Sequence, residues 1–275
     1  VCQESVESDR LEIDYTCCVC LDHLSIEEVR DLEHELELAQ QVQKTLLPQE
    51  IPEMSGLEIA AYSRPAQLLG GDYFDFTAFN DGKYCLALAD VAGHGVSASL
   101  HMASIQAMLR SIVPTSHSPV EVVSQIHKLF VHNIHFTTFV TLFIGAFNPN
   151  SKSFTFCNAG HNPPIVLRTG SDYAESNFRL NPTGPAIGLI EDTEFGEETL
   201  LLHEGDLLVM YTDGLTEAVD QRNEMFGVER LVDITEAIYP ASPDVVVREI
   251  REGLETFIDG RSLADDTTIV VCRVI

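Results

Sequence analysis

Eight apolar runs of strand length fill the chain from residue 57 to its end, and three of them meet aspartates at a terminus. The runs are LEIAAYS (57–63), YFDFTAF (73–79), KYCLALADV (83–91), FVTLFIGAF (139–147), SFTFCNA (153–159), PIVLR (164–168), DLLVMYT (206–212) and TTIVVCRVI (267–275). Their length suits strands and falls far short of the ~20 residues a membrane helix needs. Asn80-Asp81-Gly82, between the second and third runs, is a hairpin signal. Helical patterns are fewer. One covers roughly 96–113, and a second opens at Ser118-Pro119, with Glu121 completing a capping box. A third follows Ser242-Pro243 to about Ile258, where Gly260 closes it. Strands and helices come in runs, not in strict alternation. That predicts an α+β fold of antiparallel sheets covered by helix pairs.

Before Pro48 the texture differs. Residues 11–24, LEIDYTCCVCLDHL, read as a strand and turn with no neighbour to pair with. Ser25-Ile26-Glu27-Glu28 is a capping box for a helix that Pro48 stops. Val29, Leu32, Leu36, Ala39, Gln43 and Leu46 recur at coiled-coil spacing and predict a helix–helix seam. The alternative is an amphipathic helix lying on its own domain. The expected division is an upstream-domain remnant over 1–24, a linker helix over 25–48 and the main domain over 49–275. The chain begins at Val1 and is expected to be part of a longer protein.

Composition excludes some roles. The 43 acidic residues against 16 basic give a formal charge of −27, a field that repels nucleic acid. No membrane segment and no signal peptide are visible. Cys85, Cys157 and Cys272 lie inside apolar runs and read as core residues of a reduced, cytoplasmic protein. Cys17, Cys18 and Cys20 contain one C-x-x-C, read as filling of a strand, with a metal or redox role as the alternative.

The aspartates carry the chemistry. LALADVAGHG ends a strand on Asp90, LLVMYTDGLTEA ends another on Asp213, and LADDTTIVV puts Asp265 and Asp266 just before the last strand. In antiparallel neighbours the end of one strand lies beside the start of the next, so these acids are expected at one sheet edge. Asp72 of LLGGDYFDF joins them. Converging carboxylates call for a cation, and all-oxygen sites select hard divalents such as Mg²⁺ or Mn²⁺. Gly70, Gly71, Gly93, Gly95 and Gly214 flank the acids, where glycine admits close backbone approach. An aspartate-glycine turn after a strand is the plain alternative at each stretch taken alone. His94 and His161 sit in AGHG and AGHNPP and are read as turn formers, with proton transfer as the alternative. No P-loop, H-E-x-x-H or G-x-S-x-G motif is present.

GGDYFD, LADVAGHGVSASL, CNAGHNPP, GDLLVMYTDGLTEA and ADDTTIVV, in that order, resemble the SpoIIE/RsbU-like branch of the PPM (protein phosphatase 2C) metal-dependent Ser/Thr phosphatases. The resemblance covers roughly 34–275 and includes AQQVQKTLLP. It implies a sandwich of two antiparallel sheets flanked by helices, with two Mn²⁺ or Mg²⁺ ions at one end. By the same resemblance Asp90 bridges both metals, the Val91 carbonyl and Asp72 serve the second, and Asp213 and Asp265 hold the first. Asp265 is favoured over Asp266, and Asp75 is a candidate to support a metal ligand. DVAGHG stands where relatives outside this branch carry D-G-H-G-G. His94 is therefore displaced by an insertion and is not assigned as general acid. Arg64 in SRPA is the candidate for gripping phosphate. The implied reaction is in-line attack on phosphoserine or phosphothreonine by a water that two ions share and acidify. The implied substrate is a phosphorylated STAS-domain protein, an anti-anti-sigma factor of a bacterial partner-switching pathway. An upstream sensor domain and a homodimer through the linker helix complete the expectation. The alternatives are a catalytically weak signalling scaffold of the same fold and a two-metal phosphohydrolase of small phosphoesters.

Overall fold

The computed structural model describes residues 25–133, 138–168 and 177–275. The strand expected over 11–24 and the Cys17/Cys18/Cys20 cluster lie outside the described residues.

Helix α1 (Ile26–Leu46) starts as the sequence predicts. Ser25 Oγ accepts from Glu28 N–H, and the Glu28 carboxylate accepts from Ser25 N–H. Leu47 leaves in extended conformation ahead of Pro48. The main domain then runs β1 (Leu57–Arg64), β2 (Tyr73–Ala78), β3 (Tyr84–Val91), α2 (Gly95–Ile112), α3 (Pro119–Asn133), β4 (Val140–Phe147) and β5 (Ser153–Ala159). It continues with β6 (Ile165–Leu167), β7 (Asn177–Arg179), β8 (Glu198–Leu201), β9 (Leu207–Tyr211), α4 (Asp213–Thr216), α5 (Gly227–Ile238), α6 (Pro243–Ile258) and β10 (Thr267–Val274).

Two five-stranded sheets form, in the orders β1-β10-β9-β6-β7 and β2-β3-β4-β5-β8. Every strand pair is antiparallel. The sheets stack face to face over Phe74, Phe143, Phe154, Met210 and Val270. Helices α2 and α3 cover the outer face of the second sheet through Met102, Ile105, Ile126 and Phe130. Helices α5 and α6 cover the first through Leu231, Val246, Ile250 and Leu254. The fold is a four-layer α+β sandwich. Each central strand is buried on both faces, so β9 reads Leu-Leu-Val-Met-Tyr without a polar position. Truncating one of the fully buried phenylalanines between the sheets would cost about 3–5 kcal/mol.

Some elements differ from the sequence reading. Helix α5 was not expected: it begins at Gly227, φ +77°, with no side-chain cap to announce it. The short edge strands β7 and β8 were not expected either, being too brief and too exposed to leave a pattern. At α3, Glu121 N–H reaches Ser118 Oγ, but the Glu121 carboxylate accepts from His117 N–H instead of returning to Ser118. On α1, no residue is fully buried; Val29, Leu32, Leu36, Gln43 and Leu46 are half-buried, whereas Ala39 is exposed. Among the described residues, no helix is long and apolar enough to cross a membrane.

Candidate active site

Strand register gathers the aspartates. Tyr73 pairs with Ala89, which sets Asp72 beside Asp90 at one end of the second sheet. Ile269 pairs with Tyr211, which sets Asp265 and Asp266 beside Asp213 at one end of the first. The two ends meet through Asp72. Its Oδ2 accepts from Thr212 Oγ1 at 2.8 Å and from Thr268 Oγ1 at 2.7 Å, so a carboxylate of one sheet is held by two hydroxyls of the other. Its Oδ1 is buried and has no partner. A buried, unpartnered carboxylate oxygen close enough to Asp90 and Asp266 to feel their charges is a donor suited to a hard divalent cation. As the side chains stand, no three His, Cys, Asp or Glu among the described residues converge tightly enough to share one ion.

Electrostatics mark the same place. Burial, then the charges of Asp213, Asp265 and Asp266, push the Asp90 carboxyl up to about 8, and a hydrogen bond with Asp213 adds to this. Burial and the Asp90 charge hold Asp72 well above the usual carboxylate range. Burial raises Asp213 too, with Glu217 and Asp265 contributing. Protons here belong to the cluster as a whole.

Asp265 and Asp266 have separate tasks. Asp266 is buried, and its two oxygens accept from Ala66 N–H at 2.7 Å and Gly71 N–H at 2.6 Å. It ties the Arg64–Asp72 turn to the start of β10. Asp265 is exposed at the same strand end, where one of its oxygens accepts from Asp266 N–H at 2.8 Å. The glycines serve backbone packing here. A Cβ on Gly70 would fall 2.6 Å from Asp266 Oδ2, and one on Gly71 would fall 2.9 Å from the Val91 carbonyl oxygen. A Cβ on Gly214 would overlap the Asp266 carbonyl. The Gly70-Gly71-Asp72 turn thus lies directly on the Val91 carbonyl and the Asp266 carboxylate.

The remaining candidates divide. Arg64 is exposed at the end of β1, opposite Thr267, and therefore at the rim of the acid cluster. His94 caps α2 on the surface, its Nδ1 3.2 Å from Gln67 Nε2. Asp75 does not support the cluster. It is buried against α2, where Arg110 Nε donates to it at 2.8 Å and the Tyr73 hydroxyl donates to the same oxygen. His161 is buried beneath the site. Thr212, Thr268 and Gln43 went unrecognised in the sequence. YTDG and DDTT place both threonines beside acids, a signal that could have been read. Gln43 was assigned to the helix seam. Its side-chain amide instead forms a two-bond pair with the Gly70 backbone, accepting from Gly70 N–H at 3.1 Å and donating to Gly70 C=O.

Two stacked antiparallel sheets between helix pairs, closing one end on clustered aspartates, define a PPM-type protein serine/threonine phosphatase. The comparisons agree and narrow the class. The Stage II sporulation protein E (SpoIIE) family profile matches residues 80–275. The chain is 30% identical to phosphoserine phosphatase RsbU of Bacillus subtilis (strain 168) over 246 residues, covering 89% of this chain and 71% of RsbU. Among solved structures, the SiaA-PP2C domain of Pseudomonas aeruginosa superposes with a TM-score of 0.77 at 19% identity, over 90% of this chain and 99% of that one. The RsbU and RsbW domains of Rv1364c from Mycobacterium tuberculosis give 0.70 at 26% identity, over 83% of this chain and 63% of theirs. The chain belongs to the SpoIIE family, in its RsbU-like branch.

Proposed function

We propose that this chain dephosphorylates a phosphoserine or phosphothreonine on a STAS-type regulator, an anti-anti-sigma factor, in a bacterial partner-switching pathway, using two Mn²⁺ or Mg²⁺ ions. The carrying observation is the grouping of acids from both sheets around Asp90, beside an Asp72 that two threonines hold and that keeps one buried oxygen unpartnered. In this reading Asp72, Asp90, Asp213, Asp265 and the Val91 carbonyl hold the ions. Bound there, divalent cations neutralise phosphate charge and acidify a water. Asp72 is fixed by Thr212 and Thr268, and Asp90 is fixed by the β3 ladder, so neither has far to move. Arg64 at the rim is free to meet phosphate oxygens. The relation to RsbU and the pairing of RsbU and RsbW domains in one chain support the partner-switching setting. Free buried Cys85, Cys157 and Cys272 fit a cytoplasmic one. The test is phosphate release from phosphorylated STAS proteins of the same organism, with Mn²⁺, Mg²⁺, Zn²⁺ or chelator. Release is expected with Mn²⁺ or Mg²⁺, little with Zn²⁺ and none with chelator. Equal release from nucleotides would favour a small-phosphoester hydrolase, and no release from any substrate would favour a scaffold.

The same reading makes residues 1–24 the end of an upstream sensor domain and 25–48 its linker to the phosphatase. Half-buried Val29, Leu32 and Leu36, together with exposed Ile26, Leu38 and Val42, make α1 too apolar to stand alone in water. A second copy of α1 in a parallel homodimer is the proposed partner. Sedimentation should give a dimer at tens of micromolar; a monomer would leave α1 to its own domain.

A further inference from the structure

The AGHNPP segment plays no part in the chemistry above, yet it builds a buried histidine with care. Asn158 Oδ1 accepts from His161 N–H at 2.8 Å, and Asn158 Nδ2 donates to Leu180 C=O at 2.9 Å. Gly160 has φ +67°, and a Cβ there would fall 2.7 Å from Ala186 N. The turn is therefore fixed on both sides, and the His161 ring points inward at 1% exposure. Its Nδ1 lies 2.8 Å from Thr141 Oγ1. Thr141 sits on β4 directly opposite Asp90, its hydroxyl 3.5 Å from the Asp90 carbonyl oxygen. The ring Nε2 is buried beside the backbone of Tyr211, two residues before Asp213, and has no hydrogen-bond partner. His161 thus stands between the two sheets at the points where they deliver Asp90 and Asp213.

We infer that His161 is a positioning residue: through Thr141 it braces the strand end that carries Asp90, and so sets the affinity of the acid cluster for divalent cations. The inference rests on the metal reading above. Burial pushes the imidazole down to about 3, so the ring is neutral in ordinary buffers. A neutral ring has one N–H donor and one acceptor. With the proton on Nδ1, the ring donates to Thr141 Oγ1 and leaves the Thr141 hydroxyl proton for the Asp90 carbonyl oxygen. A lysine or arginine in its place would set a fixed positive charge behind the cluster and compete with the cation. Proton transfer is the poorer role, because the ring is sealed from solvent and the hydrogen bond that reaches it is with Thr141, not with a site carboxylate.

The test is Mn²⁺ binding to the full chain, read by calorimetry and by the Mn²⁺-induced rise in melting temperature, beside turnover at saturating Mn²⁺. Thr141→Val, which keeps the β-branched shape, and His161→Phe should each raise the half-saturating Mn²⁺ concentration roughly tenfold, as loss of an outer-shell partner does. The double variant should lose no more than either single one. His161→Asn keeps an amide near the Nδ1 position and should fall between. Turnover should recover at saturating Mn²⁺ in every case. Thr141→Val carries the test if a His161 variant does not fold. Unchanged Mn²⁺ binding in folded Thr141→Val, additive losses in the double variant, or a turnover defect that persists at saturation would each overturn the brace. A wild type that binds no Mn²⁺ would overturn the metal reading and the brace together; wild-type binding with indifferent variants would overturn the brace alone.

Discussion

Asp90→Asn is expected to lower phosphate release by roughly 100-fold or more while the protein folds as before, the scale seen when one preorganised electrostatic group is removed from a site. Asp90 sits where the other acids meet, and no neighbour can replace its charge. The substitution should also change how chelated protein responds to pH. The folded Asp90 carboxyl lies at about 8, against an ordinary 3.8. A carboxyl raised in the folded state favours the fold while protonated. That contribution is complete below about pH 4 and is lost as pH rises through about 8. Chelated wild type should therefore melt at a lower temperature near pH 8 than near pH 5, and Asp90→Asn should flatten this fall. Excess Mn²⁺ should reverse it in the wild type. An active Asn variant, or chelated wild type that gains stability over this interval, would remove Asp90 from the centre of the site.

Asp265→Asn and Asp266→Asn should fail in different ways. Asp265 is exposed, so its Asn variant should melt like the wild type and still lose most phosphate release. Asp266 accepts two backbone N–H groups with its two oxygens. An amide offers one acceptor, and its NH₂ would face a buried N–H donor. The loss is about 1–3 kcal/mol, which lowers the melting temperature by several degrees in a domain of this size. Activity should fall with it, because the freed turn carries Asp72. Thermal melts and phosphate release on the two variants decide the matter. Normal melting in Asp266→Asn with retained activity in Asp265→Asn would exchange the roles.

Much of this was legible in the sequence because the signals are local. An apolar run ending in aspartate gives both a strand and the end at which its acid emerges. NDG gives the hairpin that sets Asp72 beside Asp90. Ser25 and Glu28 give the start of α1 within one turn. What stayed hidden depends on pairs far apart in the chain. Asp75 resembles a site acid until Arg110, on another element, takes its carboxylate. Asp266 and Asp265 are neighbours of equal chemistry, and only the turn holding Ala66 and Gly71 separates them. Gln43 fits a heptad as a polar seam residue, and its bond to Gly70 spans 27 residues. Helix α5 lacked the capping signals that marked α1, α3 and α6.

That bond between Gln43 and Gly70 has a thermodynamic consequence. It joins α1 to the turn whose next residues are Gly71, held by Asp266, and Asp72, held by the threonines. Any preference of the docked helix for one setting of this turn is a coupling free energy, and such a quantity runs equally in both directions. A helix that improves cation binding by docking must itself be docked more firmly by the cation, and by the same factor. Under the proposed linker role, occupancy of the acid cluster would then bias the docking of α1, and that bias would travel along the helix as readily as a signal arriving from its N-terminal end.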